Sequence, residues 1–276
     1  MKILLNLLGV FLVGMLVWSF GAGLVDYISN PPEKSVEHEF HREPLDVHFP
    51  SDGPLGTYDK AQLQRGLKIF REVCAACHSL HQVSFRNLTD LGYSEDQVKT
   101  IAAEWPIESP SINPDTGEAA TRPSLPIDHF PSPYPNEVAA RAANNNAVPP
   151  DLSLISKARE GGAPYVYSLL IGYRPVPANL PEANRPPMGL HYNPWFANLN
   201  LAMPPPLTSA GQVTYDDGTR STLPQMAKDV SAFLIWTAEP KLPARKQTGW
   251  AVILFLLLAT GLGYMAYRNV WIDQKH

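Results

Sequence analysis

The segment VCAACH, residues 73–78, contains both cysteines of this 276-residue chain. Two residues separate Cys74 from Cys77, and His78 follows directly. Three kinds of chemistry use this spacing: a metal site, a redox-active dithiol and the covalent attachment of haem. Each needs different surroundings, so this motif constrains the fold more than any other segment of the chain.

Two of the three chemistries need features that the sequence lacks. Structural zinc commonly binds four Cys or His ligands in two closely spaced pairs, and the chain has no second cysteine pair. A thioredoxin-like dithiol is expected to follow a strand and to open a helix. Cys74 instead lies at the end of a predicted helix. Asp59 can cap its start, and apolar residues follow at helical spacing: Leu63, Leu67 and Phe70.

Haem attachment accounts for every residue of the motif. Each cysteine sulfur would bond one vinyl-derived carbon of the porphyrin, and the histidine would bind the iron as its proximal ligand. Forming two thioethers also leaves no free thiol in an oxidising compartment. The sequence therefore predicts one covalently bound c-type haem, held by Cys74, Cys77 and His78.

A sixth ligand to the iron is expected from elsewhere in the chain. Three of the six methionines lie in apolar terminal segments: Met1, Met15 and Met265. Met226 falls on a predicted helical stripe typical of a core residue. Met188 and Met203 both lie in proline-rich loops, and Met203 fits better because three prolines follow it and would hold it stiffly. His191 is the alternative, as the second histidine of a bis-histidine pair.

The pattern of the chain predicts a mostly α fold with long ordered loops and few or no strands. Gly66 and Phe70 lie four residues apart on one face of the first predicted helix, as a close helix–helix crossing requires. Further helices are predicted over residues 94–105, 136–144, 150–159, 165–171 and 222–237. The chain has 28 prolines, and the stretches 106–135 and 172–206 are predicted to be loops because proline disfavours regular structure.

Two apolar segments flank a body with a polar surface. Residues 250–267 contain 18 residues without a charge, which as a helix would span roughly 27 Å, close to the thickness of a bilayer core. They are predicted to be a transmembrane anchor, followed by a cytoplasmic tail over residues 268–276. Residues 1–25 are either a second retained helix or a signal peptide, and retention is the favoured interpretation. Residues 26–249 would form the haem domain.

The charge of the chain excludes one class of partner and suggests another. A formal net charge of −4 argues against nucleic-acid binding, which needs a basic surface. Residues 90–118 carry seven acidic residues against the single base Lys99. This acidic segment is either a solvated face or a docking surface for a basic partner. Its acidic residues are Asp90, Glu95, Asp96, Glu104, Glu108, Asp115 and Glu118.

Several longer motifs resemble the cytochrome c1 family, the haem-bearing subunits of cytochrome bc1 complexes, in an alphaproteobacterial form. The resemblance covers residues 55–276, nearly everything after the lead-in. The segments that carry it are VCAACHSL, YPNEVAARAANNNAVPPDLS, KAREGGAPYVYSLLIGY, HYNPWFANLNLAMPPPL and YDDGT followed by QMAKDVSAFLIWTAEP. It implies a class I cytochrome c-like haem domain with a C-terminal transmembrane helix.

The resemblance also implies roles for individual residues. His78 and Met203 would be the axial ligands of the iron, and Arg159 and Tyr165 would hold a haem propionate. Three further residues would line the pocket: Asn144, Pro149 and Pro150. The chain departs from the family in two ways. Phe70 stands where some relatives carry a tyrosine that also reaches a propionate, and the disulfide of some bacterial relatives cannot form here.

The function that the resemblance implies is electron relay within ubiquinol–cytochrome c reductase. The chain would carry electrons from the Rieske iron–sulfur protein to a soluble or membrane-tethered cytochrome c, beside a cytochrome b subunit that oxidises quinol. The complex would be dimeric, in the bacterial inner membrane, with the haem domain in the periplasm. Lys2 agrees with this orientation, whereas the charges flanking residues 250–267 do not decide it.

Three alternatives stay open at the level of the sequence. A c-haem peroxidase would need an open sixth coordination position, which a low-spin six-coordinate spectrum would exclude. A structural protein with a redox-active CxxC pair would carry no covalent haem. A haem subunit of a terminal oxidase would not co-purify with a quinol-oxidising cytochrome b.

Overall fold

The computed structural model describes residues 2–31 and 35–274, and within them the fold is mostly α-helical, as the sequence predicts. The helices are α1 Lys2–Ser29, α2 Val36–Phe40, α3 Lys60–Glu72, α4 Glu95–Ala103, α5 Glu137–Ala143, α6 Ile155–Ala158, α7 Gly162–Ile171, α8 Leu223–Ala238 and α9 Leu242–Trp271. Residues 1–40 and residues 41–276 form two separate compact units. Of the predicted cytoplasmic tail, residues 275 and 276 lie outside the described residues.

Short antiparallel strands accompany the helices. The strands are β1 Leu80–Ser84, β2 Ser109–Ile112, β3 Ala119–Arg122, β4 His129–Phe130, β5 His191–Tyr192 and β6 Asn200–Leu201. They pair as β1 with β4, β2 with β3, and β5 with β6. Because each of these sheets has two strands, helices and loops supply most of the core.

Two helices are long and apolar enough to cross a membrane. One is α1, and the other is α9. The apolar stretches of both have side chains exposed in the structure, as lipid-facing residues would be. α9 begins at Leu242, with Lys241 as its N-cap, eight residues before the predicted start of the anchor at residue 250. Its first turns pack on the rest of the larger unit, where Lys246 Nζ donates to the backbone oxygens of Ser51 (2.6 Å) and Gly53 (2.5 Å).

The centre of the larger unit is the crossing of α3 and α8. Asp59 caps α3, its carboxylate accepting hydrogen bonds from the backbone N–H groups of Ala61 and Gln62, as predicted. At Gly66 the two helices touch: an added Cβ would collide with the backbone oxygen of Asp229 and the Cβ of Phe233. The predicted close crossing at Gly66 is therefore confirmed.

A cluster of aromatic side chains extends the core away from this crossing. Phe70 of α3 is 1% exposed, and its ring lies 5.9 Å from Phe233, 6.3 Å from Phe130 and 6.4 Å from Trp105. Aromatic pairs at these distances contribute beyond the apolar area they bury. The cluster joins α3 and α8 to the segments that follow α4 and precede α5.

The predicted loops at 106–135 and 172–206 are wrong in part. Asn113–Gly117 form a turn between β2 and β3, and four residue pairs join these strands. Pro110 is accommodated because a two-stranded hairpin has outer edges where no N–H donor is needed. In the second stretch, His191 and Tyr192 of β5 pair with Leu201 and Asn200 of β6. The predicted helix over residues 150–159 shortens to α6, since residues 150–152 have no regular structure and residues 153–154 form a turn.

Candidate haem site

The motif cysteines lie in a tight turn at the end of α3. Cys74–Ala76 form one turn of 3-10 helix. The backbone N–H groups of Cys77 and His78 donate to the Cys74 oxygen over 3.1 and 2.9 Å. Both cysteines are free thiols and partly exposed. Burial, with a contribution from Cys77, raises the pKa of the Cys74 thiol to about 12. The turn therefore gathers Cys74, Cys77 and His78 into one loop, with both cysteine sulfurs free for bonding.

The imidazole of His78 is oriented by one hydrogen bond. Its Nδ1 atom lies 2.8 Å from the backbone oxygen of Pro150. A carbonyl oxygen can only accept, so Nδ1 carries the proton and Nε2 keeps a free lone pair. Burial lowers the pKa of His78, although Pro150 and Asp151 act in the opposite direction. The result is a neutral imidazole with Nε2 available as a metal ligand.

The segment after the motif is fastened to the residues that carry Pro150. Asp151 Oδ2 accepts hydrogen bonds from the Ser79 hydroxyl (2.9 Å) and the His81 backbone N–H (2.8 Å). The Leu152 N–H donates to the Ser79 oxygen over 2.9 Å. Burial raises the pKa of Asp151, but its hydrogen bonds outweigh that effect and lower it. These contacts hold the histidine loop against the Pro150 segment, and the sequence gives no signal for them.

The structure separates the candidate methionines by burial. Met188 is fully exposed, with a relative exposure of 101%, and Met226 is fully buried in α8 at 0%. Met203 is half-buried and packs against the hydrophobic core, as Cys74 and Tyr165 also do. Met188 has no packing that would fix it. The predicted core position of Met226 is confirmed.

Met203 is held by Tyr173, which lies two residues after the end of α7. Met203 lies two residues after β6, and the hydroxyl of Tyr173 donates to its backbone oxygen over 3.0 Å. The ring of Tyr173 packs edge-on against His191, with 6.4 Å between their centroids. Tyr173 therefore contacts both Met203 and His191, two of the residues that the sequence offers as the sixth ligand.

Arg159 and Tyr165, predicted to bind a propionate, lie near enough to interact electrostatically. Arg159 ends α6 and is exposed, whereas Tyr165 lies half-buried in α7. Burial raises the pKa of the Tyr165 hydroxyl, and the guanidinium of Arg159 offsets part of that rise. An exposed cation beside a half-buried hydroxyl donor suits a carboxylate.

Asn144 is joined to the motif through a residue that the sequence analysis did not single out. The Tyr134 hydroxyl donates to the Cys77 sulfur over 3.7 Å. The hydrogen bond with Asn144 lowers the pKa of Tyr134, but burial and Cys77 raise it, and the rise prevails. Pro149 is half-buried and directly precedes Pro150. No spacing in the sequence pointed to Tyr134, because its partners lie far from it along the chain.

These residues fit a c-type haem. The turn supplies two free thiols and a neutral imidazole with an open Nε2, and Met203 supplies a soft thioether sulfur at the edge of the core. Arg159 and Tyr165 supply the donors that haem carboxylates need.

Comparison with known proteins gives the same result. Residues 49–274 match the Cytochrome C1 family. Cytochrome c1 of Rhodospirillum rubrum is 46% identical over 236 residues, covering 81% of this chain and 86% of that protein. Cytochrome c1-2, heme protein, mitochondrial, of Solanum tuberosum is 43% identical over 249 residues, covering 90% and 92%.

A third relative is longer. The protein named cytochrome b/c1 of Bradyrhizobium diazoefficiens is 45% identical over 243 residues, covering 80% of this chain but only 34% of that protein. The chain thus spans about a third of this relative and most of the other two. The family that the sequence motifs indicated is confirmed, and the chain belongs to the cytochrome c1 family.

Proposed function

We propose that this chain is the haem-carrying electron-transfer subunit of a cytochrome bc1 complex. In detail, it would take electrons from a Rieske iron–sulfur protein and pass them to a soluble or tethered cytochrome c. Family membership supports the complex and the haem, because relatives bear the names cytochrome c1 and heme protein. The chain would thus serve ubiquinol–cytochrome c reductase without acting on quinol itself.

One observation carries the proposal: the hydrogen bond from His78 Nδ1 to the Pro150 oxygen, over 2.8 Å, in the same loop as two free cysteines. A histidine so oriented presents Nε2 as a ligand. Cys74 and Cys77 would bond the vinyl-derived carbons of one haem, which when bound supplies one-electron redox chemistry at its iron. The chain itself supplies attachment, ligands and surroundings.

The remaining site residues would set the orientation of the haem and its reduction potential. Met203 would be the second axial ligand, and a thioether there favours the ferrous state relative to a second histidine. Arg159 and Tyr165 would bind a propionate, and the electrostatic effect of the Arg159 guanidinium on the Tyr165 hydroxyl supports this pairing. Asn144, Pro149 and Pro150 would line the pocket.

The partners follow from the same family context. A cytochrome b subunit would lie beside α9, and the relative whose name joins cytochrome b with c1 supports this pairing. The Rieske protein and a cytochrome c would complete the electron path, in a dimeric complex.

The chain is proposed to lie in a bacterial inner membrane with its haem domain in the periplasm. α1 and α9 supply the candidate spans. Covalent haem attachment on the periplasmic side is the argument for orientation, with Lys2 on the cytoplasmic side in agreement. A retained α1 remains part of this proposal.

A pyridine haemochrome spectrum of the membrane-extracted chain tests the proposal. The wild type is expected to keep one haem per chain on a denaturing gel and to show a low-spin six-coordinate spectrum. The double variant Cys74→Ala, Cys77→Ala should lose haem on the gel, whereas Ala76→Ser, at an exposed position inside the motif, should keep it. A wild-type chain without covalent haem would reject the proposal, and a high-spin spectrum would favour a peroxidase.

A further inference from the structure

The position of Met203 depends on a hydrogen bond that its own segment cannot replace. Pro204, Pro205 and Pro206 follow it and have no backbone N–H. These three residues therefore cannot donate a backbone hydrogen bond to the rest of the domain, although the Pro206 oxygen accepts one from Gln212 Nε2 over 2.8 Å. The Tyr173 hydroxyl, 3.0 Å from the Met203 oxygen, supplies a contact from a different element.

Tyr173 is itself held firmly on both sides. At Gly172, an added Cβ would lie 2.5 Å from the Trp195 ring and 2.8 Å from Asn193 Oδ1, so the chain packs tightly there. On the other side, the guanidinium of Arg174 stacks 5.8 Å from the centre of the Trp195 ring. The backbone of Tyr173 is therefore fixed relative to the loop between β5 and β6.

The same loop connects back to α7. Asn193 is fully buried, and its side-chain amide donates to the Leu169 oxygen over 2.9 Å. Its backbone N–H donates to the Leu199 oxygen over 2.8 Å. The end of α7 and the β5–β6 hairpin thus form one hydrogen-bonded unit. Met203 lies two residues after β6, at the edge of this unit.

The direction of the hydrogen bond between Tyr173 and Met203 follows from its partners. The Met203 backbone oxygen can only accept, so the Tyr173 hydroxyl is the donor. A partly buried hydrogen bond of this kind contributes on the order of 1 kcal/mol.

We propose that Tyr173 is a positioning residue for the axial ligand: its hydroxyl, by holding the backbone of Met203, keeps the thioether at the iron. This inference rests on the proposed function, in which Met203 binds the haem iron. The iron contact would be made by Met203, and Tyr173 acts only through it.

Cyanide binding to the ferric protein tests this role, because cyanide must displace the thioether. The test uses the full-length chain in its membrane-extracted complex. Tyr173→Phe keeps the ring and its packing on His191 and removes one hydroxyl, so the methionine should leave more readily. The dissociation constant for cyanide should fall about fivefold.

Tyr167→Phe is the matched control. Tyr167 is half-buried in α7, the helix that ends two residues before Tyr173, and within the described residues its hydroxyl makes no hydrogen bond. This variant should leave the dissociation constant within about twofold of wild type. Placing 4-aminophenylalanine at position 173 retains an N–H donor and should restore wild-type affinity.

The double variant distinguishes positioning from a general structural role. In the Met203→Leu background no thioether remains to be displaced, so adding Tyr173→Phe should not change cyanide affinity further. An unchanged constant in Tyr173→Phe alone, or an equal change in both backgrounds, would overturn the inference. If 4-aminophenylalanine behaves like Phe, the hydrogen bond is not what holds the ligand. If Met203→Leu itself leaves cyanide binding unchanged, the ligand assignment fails instead.

Discussion

Gly66 of α3 lies directly against the backbone oxygen of Asp229 in α8, with no space for a side chain between them. The same crossing carries a buried polar contact. Asp229 is fully buried, and its carboxylate accepts from Arg65 Nε over 2.8 Å and from Gln62 Nε2 over 3.0 Å. The helix that leads into the CxxCH motif is thus fixed to α8 in two ways: by close packing at Gly66, and by hydrogen bonds from Arg65 and Gln62 to Asp229.

Gly66→Ala is expected to destabilise the domain. The new methyl group would meet backbone atoms that cannot move aside independently, so α3 and α8 must separate. Overpacking of this kind typically lowers the free energy of unfolding by about 1–3 kcal/mol. Urea unfolding of the haem-loaded protein in detergent measures the free energy of unfolding of each variant. Glu72→Ala, at an exposed position of the same helix, is the control and should change little. Equal stability of Gly66→Ala and wild type would contradict the close crossing.

The sequence predicted best what depends on neighbours along the chain. The predicted Asp59 cap of α3 appears as side-chain hydrogen bonds to the first helical turn. A cap of this kind requires only residues a few positions apart. The helical period likewise identified Met226 as a core residue.

The sequence failed where partners are distant. Tyr134, Tyr173 and Asp151 reach the candidate site through contacts across 57, 30 and 72 positions, and a single sequence contains no signal for such pairs. The β2–β3 hairpin was missed for another reason. Its prolines suggested a loop, but two-stranded hairpins tolerate proline at positions that need no N–H donor.

The ion pair between Arg122 and Asp128 predicts a dependence of stability on pH. Arg122 donates to the Asp128 carboxylate over 2.5 and 2.9 Å. This bond lowers the pKa of Asp128, burial opposes it, and the Leu125 backbone N–H adds to the lowering. The pKa is thus lower in the folded than in the unfolded chain, where it is about 3.9. The stabilisation is therefore present above about pH 4 and is lost as pH falls through the folded value.

Asp128→Asn should accordingly be less stable than wild type at pH 7, with the difference narrowing below about pH 4. Unfolding midpoints at a series of pH values measure this difference. Asp115→Asn is the control, because Asp115 is exposed in the turn between β2 and β3. The contrary outcome is a stability difference between Asp128→Asn and wild type that stays constant from pH 7 to pH 3. That result would show that the charge of the Asp128 carboxylate does not contribute to stability.

The acidic segment at residues 90–118 is expected to guide the acceptor. All seven of its acidic residues are exposed, and Lys99 Nζ lies 3.0 Å from Asp96, so it offsets one charge. If a basic cytochrome c docks there, the second-order electron-transfer rate should fall as ionic strength rises. Stopped-flow measurements between low and moderate salt test this. A tethered acceptor that never diffuses would show no such dependence.

Two double variants test whether the acidic segment causes the salt dependence of the electron-transfer rate. Glu95→Gln with Glu104→Gln removes two exposed charges from the acidic segment and should reduce both the rate at low salt and its salt dependence. Glu72→Gln with Glu182→Gln removes two exposed charges outside the segment and should change neither as much. A rate that is flat with salt, or equal effects from both pairs, would argue that the acidic segment is only a solvated face.

Replacing Met203 should have a large effect on the haem, and replacing Met188 almost none. Met203→Leu preserves volume and apolarity at the edge of the core, so the fold and the bonds at Cys74 and Cys77 should survive. The iron loses a soft neutral ligand that favours the ferrous state, so the potential should fall by an amount on the order of hundreds of millivolts. The spectrum should become partly high-spin, with carbon monoxide binding.

Met188→Leu changes a side chain whose relative exposure is 101%, and its spectrum and potential should match wild type. Redox titration and the near-infrared methionine-to-iron charge-transfer band measure both variants. With the potential lowered, Met203→Leu should also accept electrons poorly, and quinol oxidation by the complex should stall although quinol still binds. If Met203→Leu keeps the band and Met188→Leu loses it, the ligand is Met188, and the half-buried position beside Tyr173 has another purpose.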